Sequence, residues 1–558
     1  MSSLRERREE AHQRLGEGVY DLAIVGGGIN GASIARDAAL RGYRVCLLEQ
    51  SDLGFGTSSR SSRLIHGGLR YLEQAEVGLV FESVSERYTL THTARHLVRP
   101  LAFVVPVYKG DAFPLFAVDL GLWVYDALAL FRNYKNHTRL SASQLKRFVP
   151  GLRAEGLSGA VRYYDYQTDD ARLVLENALG AQQAGAELLT YCRVDGFDYR
   201  QNRVKNVRAT DLITETELRV RAHCVLCAAG PWTDRVLGMT ERPDRWLRPS
   251  KGVHIVVPRE KLALDDALTM RHPEDRRVLF VLPYHERTVI GTTDTDFDAD
   301  PDNLEASCED VRYLLAAAQH AFPEVDLGPD DVLSSWTGLR PLLRQEDAGS
   351  PSAVSREHRI QVRTDGVIVI AGGKLTTYRK MAAECLELAA PAIGMAGGTP
   401  PRRGEQTRQV PLPGAVGLAS EGALEDLTGE VSQPFADGAY VGTHLATVYG
   451  SRAREVATIA RSEPGASDRV DSELPYVWAE ATHAGRHELC CTLEDFMVRR
   501  THLFYRCRDQ GLAVAERAAE ILGKELGWDA SERKAQVAAY EARVEANNAW
   551  RGDLCFSD

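Results

Sequence analysis

Between residues 20 and 49 the spacing of apolar positions changes twice. Residues 20–25 are apolar except for Asp21, the pattern of a strand buried on both faces. Residues 32–40 are helix-forming, with Ile34, Ala38 and Ala39 as the apolar positions, and residues 44–49 turn apolar again. This alternation predicts two parallel strands joined by a crossover helix, the unit of a doubly wound sheet. Further along, the pattern predicts a helix over 171–184 and alternating segments over 194–207 and 215–225. Short strands follow over 254–257, 278–282, 288–291 and 366–370, and a helix starts near Thr377. Residues 394–416 break the pattern with Gly397, Gly398, Pro400, Pro401, Pro411 and Pro413, a linker composition. After it the chain reads as helical. Thr492 is expected to start a helix over 493–504. Asp529 and Glu532 are spaced as a capping box before the stripe Val537, Tyr540, Val544.

A chain of 558 residues is too long for one core, so two or three domains are expected. The net charge of -11 argues against a nucleic-acid partner, without excluding a local basic pocket for a small anion. No segment has the roughly 18 uncharged apolar residues of a spanning helix. The charged stretch Arg5 to Glu10 lacks the apolar core of a secretory signal and reads as a frayed, solvated helix. The cysteines are expected to be reduced and buried. Cys224 and Cys227 lie three apart in a strand-like run and should face opposite ways, against a redox or zinc pair. No metal site is expected.

The motif Gly26-Gly-Gly28-Ile-Asn30-Gly31 is GxGxxG, a weak signal alone. Here it follows a strand, opens a helix and has Glu49 at the end of the next strand, which is the full dinucleotide fingerprint. Gly26 allows the tight turn, Gly28 lets backbone approach pyrophosphate, Gly31 lets helix and strand pack, and Glu49 accepts from ribose hydroxyls. NAD and FAD both remain open at this point. The loop from Gly54 to Arg63 is dense in hydroxyls, with Thr57, Ser58, Ser59 and Ser62 suited to phosphate or flavin oxygens, and NAD would need no such stretch.

Directly after that loop, Leu64-Ile-His66-Gly67-Gly68-Leu-Arg70-Tyr71-Leu resembles the signature run of the FAD-dependent glycerol-3-phosphate dehydrogenases. Thr168-Asp-Asp-Ala-Arg-Leu173, Ala229-Gly230-Pro-Trp232, Lys251-Gly-Val-His254, Ile290-Gly-Thr-Thr-Asp294, Thr337-Gly-Leu-Arg340-Pro and Gly372-Gly373-Lys374-Leu375-Thr376 are similar to that family in the same order. Thr492 to Phe496, with Arg499 to Thr501, resembles its helical C-terminal domain. Arg60 and Arg63, flanking the serines, depart from the family pattern.

The resemblance implies an α/β fold of three parts. A glutathione-reductase-like, doubly wound FAD-binding domain would use 19–95, 160–245 and 336–395. An inserted antiparallel-sheet substrate domain would use 96–159 and 246–335, and an α-helical C-terminal domain 401–558. It implies non-covalent FAD, with Gln50 joining the residues above in holding it, and sn-glycerol 3-phosphate as substrate. Arg70, Tyr71, Arg340, Lys374 and His254 are the expected phosphate and substrate contacts, because a dianion needs cations with several donors, and Lys374 is equally open as a contact to the flavin carbonyl region, where it would stabilise negative charge on the reduced ring. His254 is the favoured base, with His66 as alternative or as a flavin contact, and Arg340 assists. The resemblance further implies a ubiquinone or menaquinone acceptor, peripheral contact with the inner face of the cell membrane, and a homodimer. Residues 113–131, apolar and aromatic around Trp123 and Tyr125, are the candidate docking element. Asp119 and Asp126 would lie on its wet face, and Arg132, Lys135 and Arg139 follow. An oxidase passing electrons to oxygen, a flavin-binding scaffold without turnover, and an amine or amino-acid oxidase are the competing readings.

Overall fold

The computed structural model describes residues 3–69, 76–344 and 357–552. Its first sheet runs in the order His358–Val362, Val367–Gly372, Thr216–Cys227, Val19–Val25, Val45–Leu48, Glu187–Leu189. All neighbours from Val367–Gly372 onward are parallel. Alternate side chains feed two cores. Leu22, Ile24, Leu47 and Cys224 join the helices Ile29–Arg41, Asp170–Gln183 and Tyr378–Met395. Ala23, Val25, Cys46 and Cys227 face the hairpin Cys192–Arg200/Arg203–Asp211 and the helix Leu4–Gly16. Cys224 and Cys227 therefore point apart, both free and buried. Cys308 differs from the expectation of reduced thiols: it is disulfide-bonded.

Three other expectations change. The segment 194–207 is two strands, because Gln201 and Asn202 adopt the left-handed conformation (φ 54° and 59°) that turns a tight hairpin. The N-terminal helix is packed, with Arg8, Ala11 and Leu15 buried and Arg8 bonded to Asp211 and the Thr190 carbonyl. The helix expected over 493–504 is instead a wide π-turn, Asp495–Arg500, and a separate short helix, Leu503–Arg506. Asp495 caps the amides of Cys491 and Thr492, while Arg499 and Arg500 both reach the buried carboxylate of Asp52.

The second sheet runs Thr295–Asp296, Ser250–Pro258, Arg287–Gly291, Val278–Tyr284, Ala267–Arg271, Arg99–Tyr108, Leu157–Gln167, Leu64–Ile65, with Ser334–Arg340 also on Ser250–Pro258. It is antiparallel except where Ala267–Arg271 meets Arg99–Tyr108. The boundaries expected at 160 and 336 fall inside its strands Leu157–Gln167 and Ser334–Arg340. Leu64–Ile65 ties the serine loop to this sheet. The C-terminal helices shield its back: Trp336, Tyr284 and Phe103 share one core with Tyr476, Phe496, Tyr505 and Leu522. Asp529 caps the helix Ala530–Asn548 with Glu532 returning the bond, as the spacing indicated.

Candidate active site

A cavity of about 710 Å³ runs between the two sheets. Its first end is the glycine turn. Gly26 has φ +107° and sits against the Ala228 carbonyl, and a side chain at Gly31 would strike the Gly26 carbonyl oxygen. Gly28 precedes the helix Ile29–Arg41 and gives it no side-chain cap. Ser58 Oγ takes the Ile29 amide (3.0 Å), while the amides of Asn30 and Gly31 have no side-chain partner among the described residues. The helix end is thus an anion site. Glu49 is half-buried and accepts from the amides of Gly27 (2.5 Å) and Ser51 (2.9 Å). Burial raises its pKa, and those two amides offset part of the rise.

The middle of the cavity is lined by Gln50, Thr57, Ser58, Ser62, Leu64 and His66, with Gly68, Gly230, Gly373, Lys374 and Leu375 closing it. Thr57 donates to the Leu339 carbonyl (2.5 Å), so the serine loop is stitched to the second sheet. A Cβ on Gly230 would meet nothing within 4 Å, which leaves that wall open to a planar ring. An anion-binding helix end, a half-buried carboxylate for ribose hydroxyls and a long hydroxyl-lined slot fit an FAD molecule.

At the far end, His254 lies on Ser250–Pro258 opposite Gly291 and Trp336. Gly291 is required there, because a Cβ would come 2.1 Å from the imidazole Cδ2. The ring stacks on Trp336, with centroids 5.0 Å apart and planes at 20°. Nε2 shares a 2.8 Å hydrogen bond with Ser62 Oγ. Burial, then the charges of Arg340 and Arg63, hold its pKa well below the ordinary histidine value, so the imidazole is neutral. Arg340 ends the neighbouring strand, and its guanidinium lies over Gly252, which leaves space for it. It pairs with Asp294 (3.3 Å) and reaches Ser250 Oγ, Thr292 Oγ1 and the Thr293 carbonyl. Arg340, Lys374, His66 and His254 all line the one cavity.

Not every expected residue does. Arg70 and Tyr71 lie outside the described residues. Gly31, Ser59, Gly67 and Thr376 do not line the cavity. Gly31 serves helix packing. Gly67 makes room for the Tyr125 hydroxyl, 2.1 Å from where its Cβ would be, and donates to Asp165. Thr376 bonds the backbone of His66 through its hydroxyl, and Ser59 is buried. Residues that the sequence reading missed also line the cavity, including Phe55, Arg60, Trp232, Arg271, Arg277 and Asp294. Trp232 and Asp294 belong to the motifs that resemble the glycerol-3-phosphate dehydrogenases, whereas Arg271 and Arg277 carry no local signal.

Beside this cavity, the helix Leu115–Leu128 exposes Phe116 (67%), Leu120 (62%) and Trp123 (53%) on one face. Phe113, Val124, Leu130 and Phe131 extend it. The opposite face buries Leu122 and Tyr125. Asp126 is also buried, bonded to Asn133 and His137, which corrects its assignment to a wet face. Among the described residues no helix is long and apolar enough to cross a membrane.

These features define a flavin-dependent oxidoreductase. Residues 21–379 match the family model of FAD-dependent oxidoreductases. The chain belongs to that family, and its cofactor is FAD. Residues 405–533 match the C-terminal domain of alpha-glycerophosphate oxidase. Aerobic glycerol-3-phosphate dehydrogenases of Staphylococcus aureus, strains USA300 and NCTC 8325 among them, are 34% identical over 543 residues, covering 97% of this chain and 96% of theirs. The solved glycerol-3-phosphate dehydrogenase of Bacillus halodurans, complexed with FAD, is 30% identical, has a TM-score of 0.81, and matches over 98% of each chain. Within the FAD-dependent oxidoreductases, the chain is therefore a member of the glycerol-3-phosphate dehydrogenase family. L-alpha-glycerophosphate oxidase of Mycoplasma pneumoniae shares the fold, with a TM-score of 0.53 at 17% identity over 67% of this chain and 95% of its own.

Proposed function

We propose that this chain oxidises sn-glycerol 3-phosphate to dihydroxyacetone phosphate and passes the electrons to a membrane quinone, ubiquinone or menaquinone. The observation that carries the reading is that Arg340, Lys374 and the buried His254 line one cavity continuous with the dinucleotide cradle. Bound FAD supplies the hydride acceptor. Arg340 and Lys374, with Arg70 and Tyr71, hold the phosphate; Arg340 keeps Asp294 as its own counter-ion, so the fork stays oriented. His254 takes the proton of the C2 hydroxyl, with Ser62 Oγ on Nε2 fixing the ring. His66 lines the flavin slot beside them. The apolar face on Leu115–Leu128 is the docking surface for the bilayer that holds the quinone, with Arg132, Lys135 and Arg139 toward anionic headgroups.

The test is anaerobic addition of sn-glycerol 3-phosphate to the yellow protein. Bleaching supports the reading; unchanged colour, or bleaching by an amine instead, overturns it. Reoxidation by a soluble quinone analogue without peroxide supports the quinone acceptor. Rapid reoxidation by air with stoichiometric peroxide supports the oxidase reading, which the match of residues 405–533 to a glycerophosphate oxidase domain favours.

A further inference from the structure

The segment Ser61–Ser62–Arg63 is held in part by the C-terminal helical region. Arg63 adopts the left-handed conformation, φ 57°, which a long side chain keeps only when its surroundings impose it. Its buried guanidinium lies 4.7 Å from the ring centroids of both Tyr284 and Trp336 and 5.4 Å from that of Tyr505. It donates to the Tyr284 hydroxyl, lies 3.3 Å from His502 Nδ1 and pairs with Asp170 at 3.5 Å. Ser61 Oγ donates to the same Asp170, and the Ser61 carbonyl accepts from the Trp336 indole. Trp336 in turn meets Tyr505 edge-on, centroids 5.2 Å apart.

Arg63, His502 and Tyr505 do not line the cavity. The two groups that fix His254 nevertheless depend on them: Ser62, adjacent to Arg63, and Trp336, a wall of the Arg63 cage. We propose that Arg63 is a positioning residue for His254, locked in place by His502 and Tyr505, so that the C-terminal helical region forms the back wall of the base's pocket. This inference rests on the reading in which His254 is the base.

Charges of both signs face the pair. His254 faces Arg340, itself held by Asp294, and Arg63. Arg63 faces Asp170, Asp169, Tyr284 and Tyr505. His502 is 3.5 Å from Asp169, and Arg506 near it is paired with Glu286. The Arg63 cation opposes formation of an imidazolium, so removing it raises the pH at which His254 takes a proton.

The experiment uses the flavin-loaded full chain with Arg63→Gln, Arg63→Lys and Tyr505→Leu. Two readouts are followed against pH: the rate of anaerobic flavin bleaching by sn-glycerol 3-phosphate, and the titration of His254 by NMR of labelled histidines, assigned through His254→Asn. For Arg63→Gln the acid limb of bleaching and the His254 titration both move up toward the ordinary value of about 6.5. The limiting rate falls on the order of tenfold or more, with the half-saturating substrate concentration within about twofold. Tyr505→Leu shifts both in the same direction by less, and Arg63→Lys, which keeps the charge but not the planar stacking, holds the His254 titration near wild type while restoring the rate only in part. A purely structural role would lower the melting temperature and leave both profiles unmoved; that result in Arg63→Gln and Tyr505→Leu overturns the proposal. Should Arg63→Gln fail to fold, Tyr505→Leu decides in the same way. A wild-type flavin that does not bleach sinks the substrate reading, and the His254 titration then decides this one alone.

Discussion

Gly31→Ala is the sharpest test of the dinucleotide cradle. An ideal Cβ at residue 31 would stand 1.8 Å from the carbonyl oxygen of Gly26, against a floor near 3.0 Å for real contacts. The helix or the turn must therefore retreat by more than an ångström. The turn has no room: Gly26 has φ +107° and its own Cβ position is only 2.6 Å from the Ala228 carbonyl oxygen, just past the neighbouring strand. The helix, packed against Asp170–Gln183 and Tyr378–Met395, must move instead. Overpacking of this kind costs about 1–3 kcal/mol. If the displacement falls on the pyrophosphate seat, FAD binding weakens on the order of tenfold to a hundredfold. Titration of flavin-stripped protein with FAD, followed by flavin fluorescence, measures it. Full affinity together with an unchanged melting temperature would refute the packing account of Gly31.

Arg340→Met should retain flavin but lower kcat/KM for glycerol 3-phosphate by on the order of a hundredfold, since a charge-assisted pair is worth roughly 1.5–3 kcal/mol; stopped-flow bleaching reads it. His254→Asn should slow bleaching by about 10²–10⁴ with flavin still bound. In the wild type the depressed pKa of His254 keeps the base neutral, so bleaching should persist as pH falls past the ordinary histidine value of about 6.5 and fade only below it. His96 is buried with its pKa lowered to about 3, chiefly by burial and then by Arg172 and Arg452. The unfolded chain binds this proton below about 6.5 and the folded chain does not, so stability should drop by about 1.4 kcal/mol per pH unit between there and pH 3, and His96→Phe should flatten the slope in denaturant titrations. Phe116→Asp with Leu120→Asp should cut co-sedimentation with anionic vesicles at least about tenfold without altering bleaching, because each side chain gives up roughly 1 kcal/mol or more of apolar burial.

The parts legible in the sequence are those whose cause is local. The glycine turn, the strand before it and Glu49 after it sit within one crossover unit, so period and residue type suffice. The hairpin at Gln201 and Asn202 was missed because neither residue is glycine, yet both take positive φ. The break after residue 494 was missed because its cause is distant: Arg499 and Arg500 turn toward Asp52, far back in the chain. The cage around Arg63 has the same character, drawing Asp170, Tyr284, Trp336, His502 and Tyr505 from separate segments. In sequence Arg63 looked only like a departure from the serine-rich pattern. Asp126 read as a surface charge because its neighbours are apolar, while its partners Asn133 and His137 lie beyond the helix end.

Loss of the yellow absorbance on adding sn-glycerol 3-phosphate without oxygen, compared between wild type and Arg340→Met, probes the heart of this account. Fast, complete bleaching of the wild type and a much slower response of the variant at equal flavin content are the predicted pair. Equal rates in the two proteins, or a wild type that stays yellow, would contradict it.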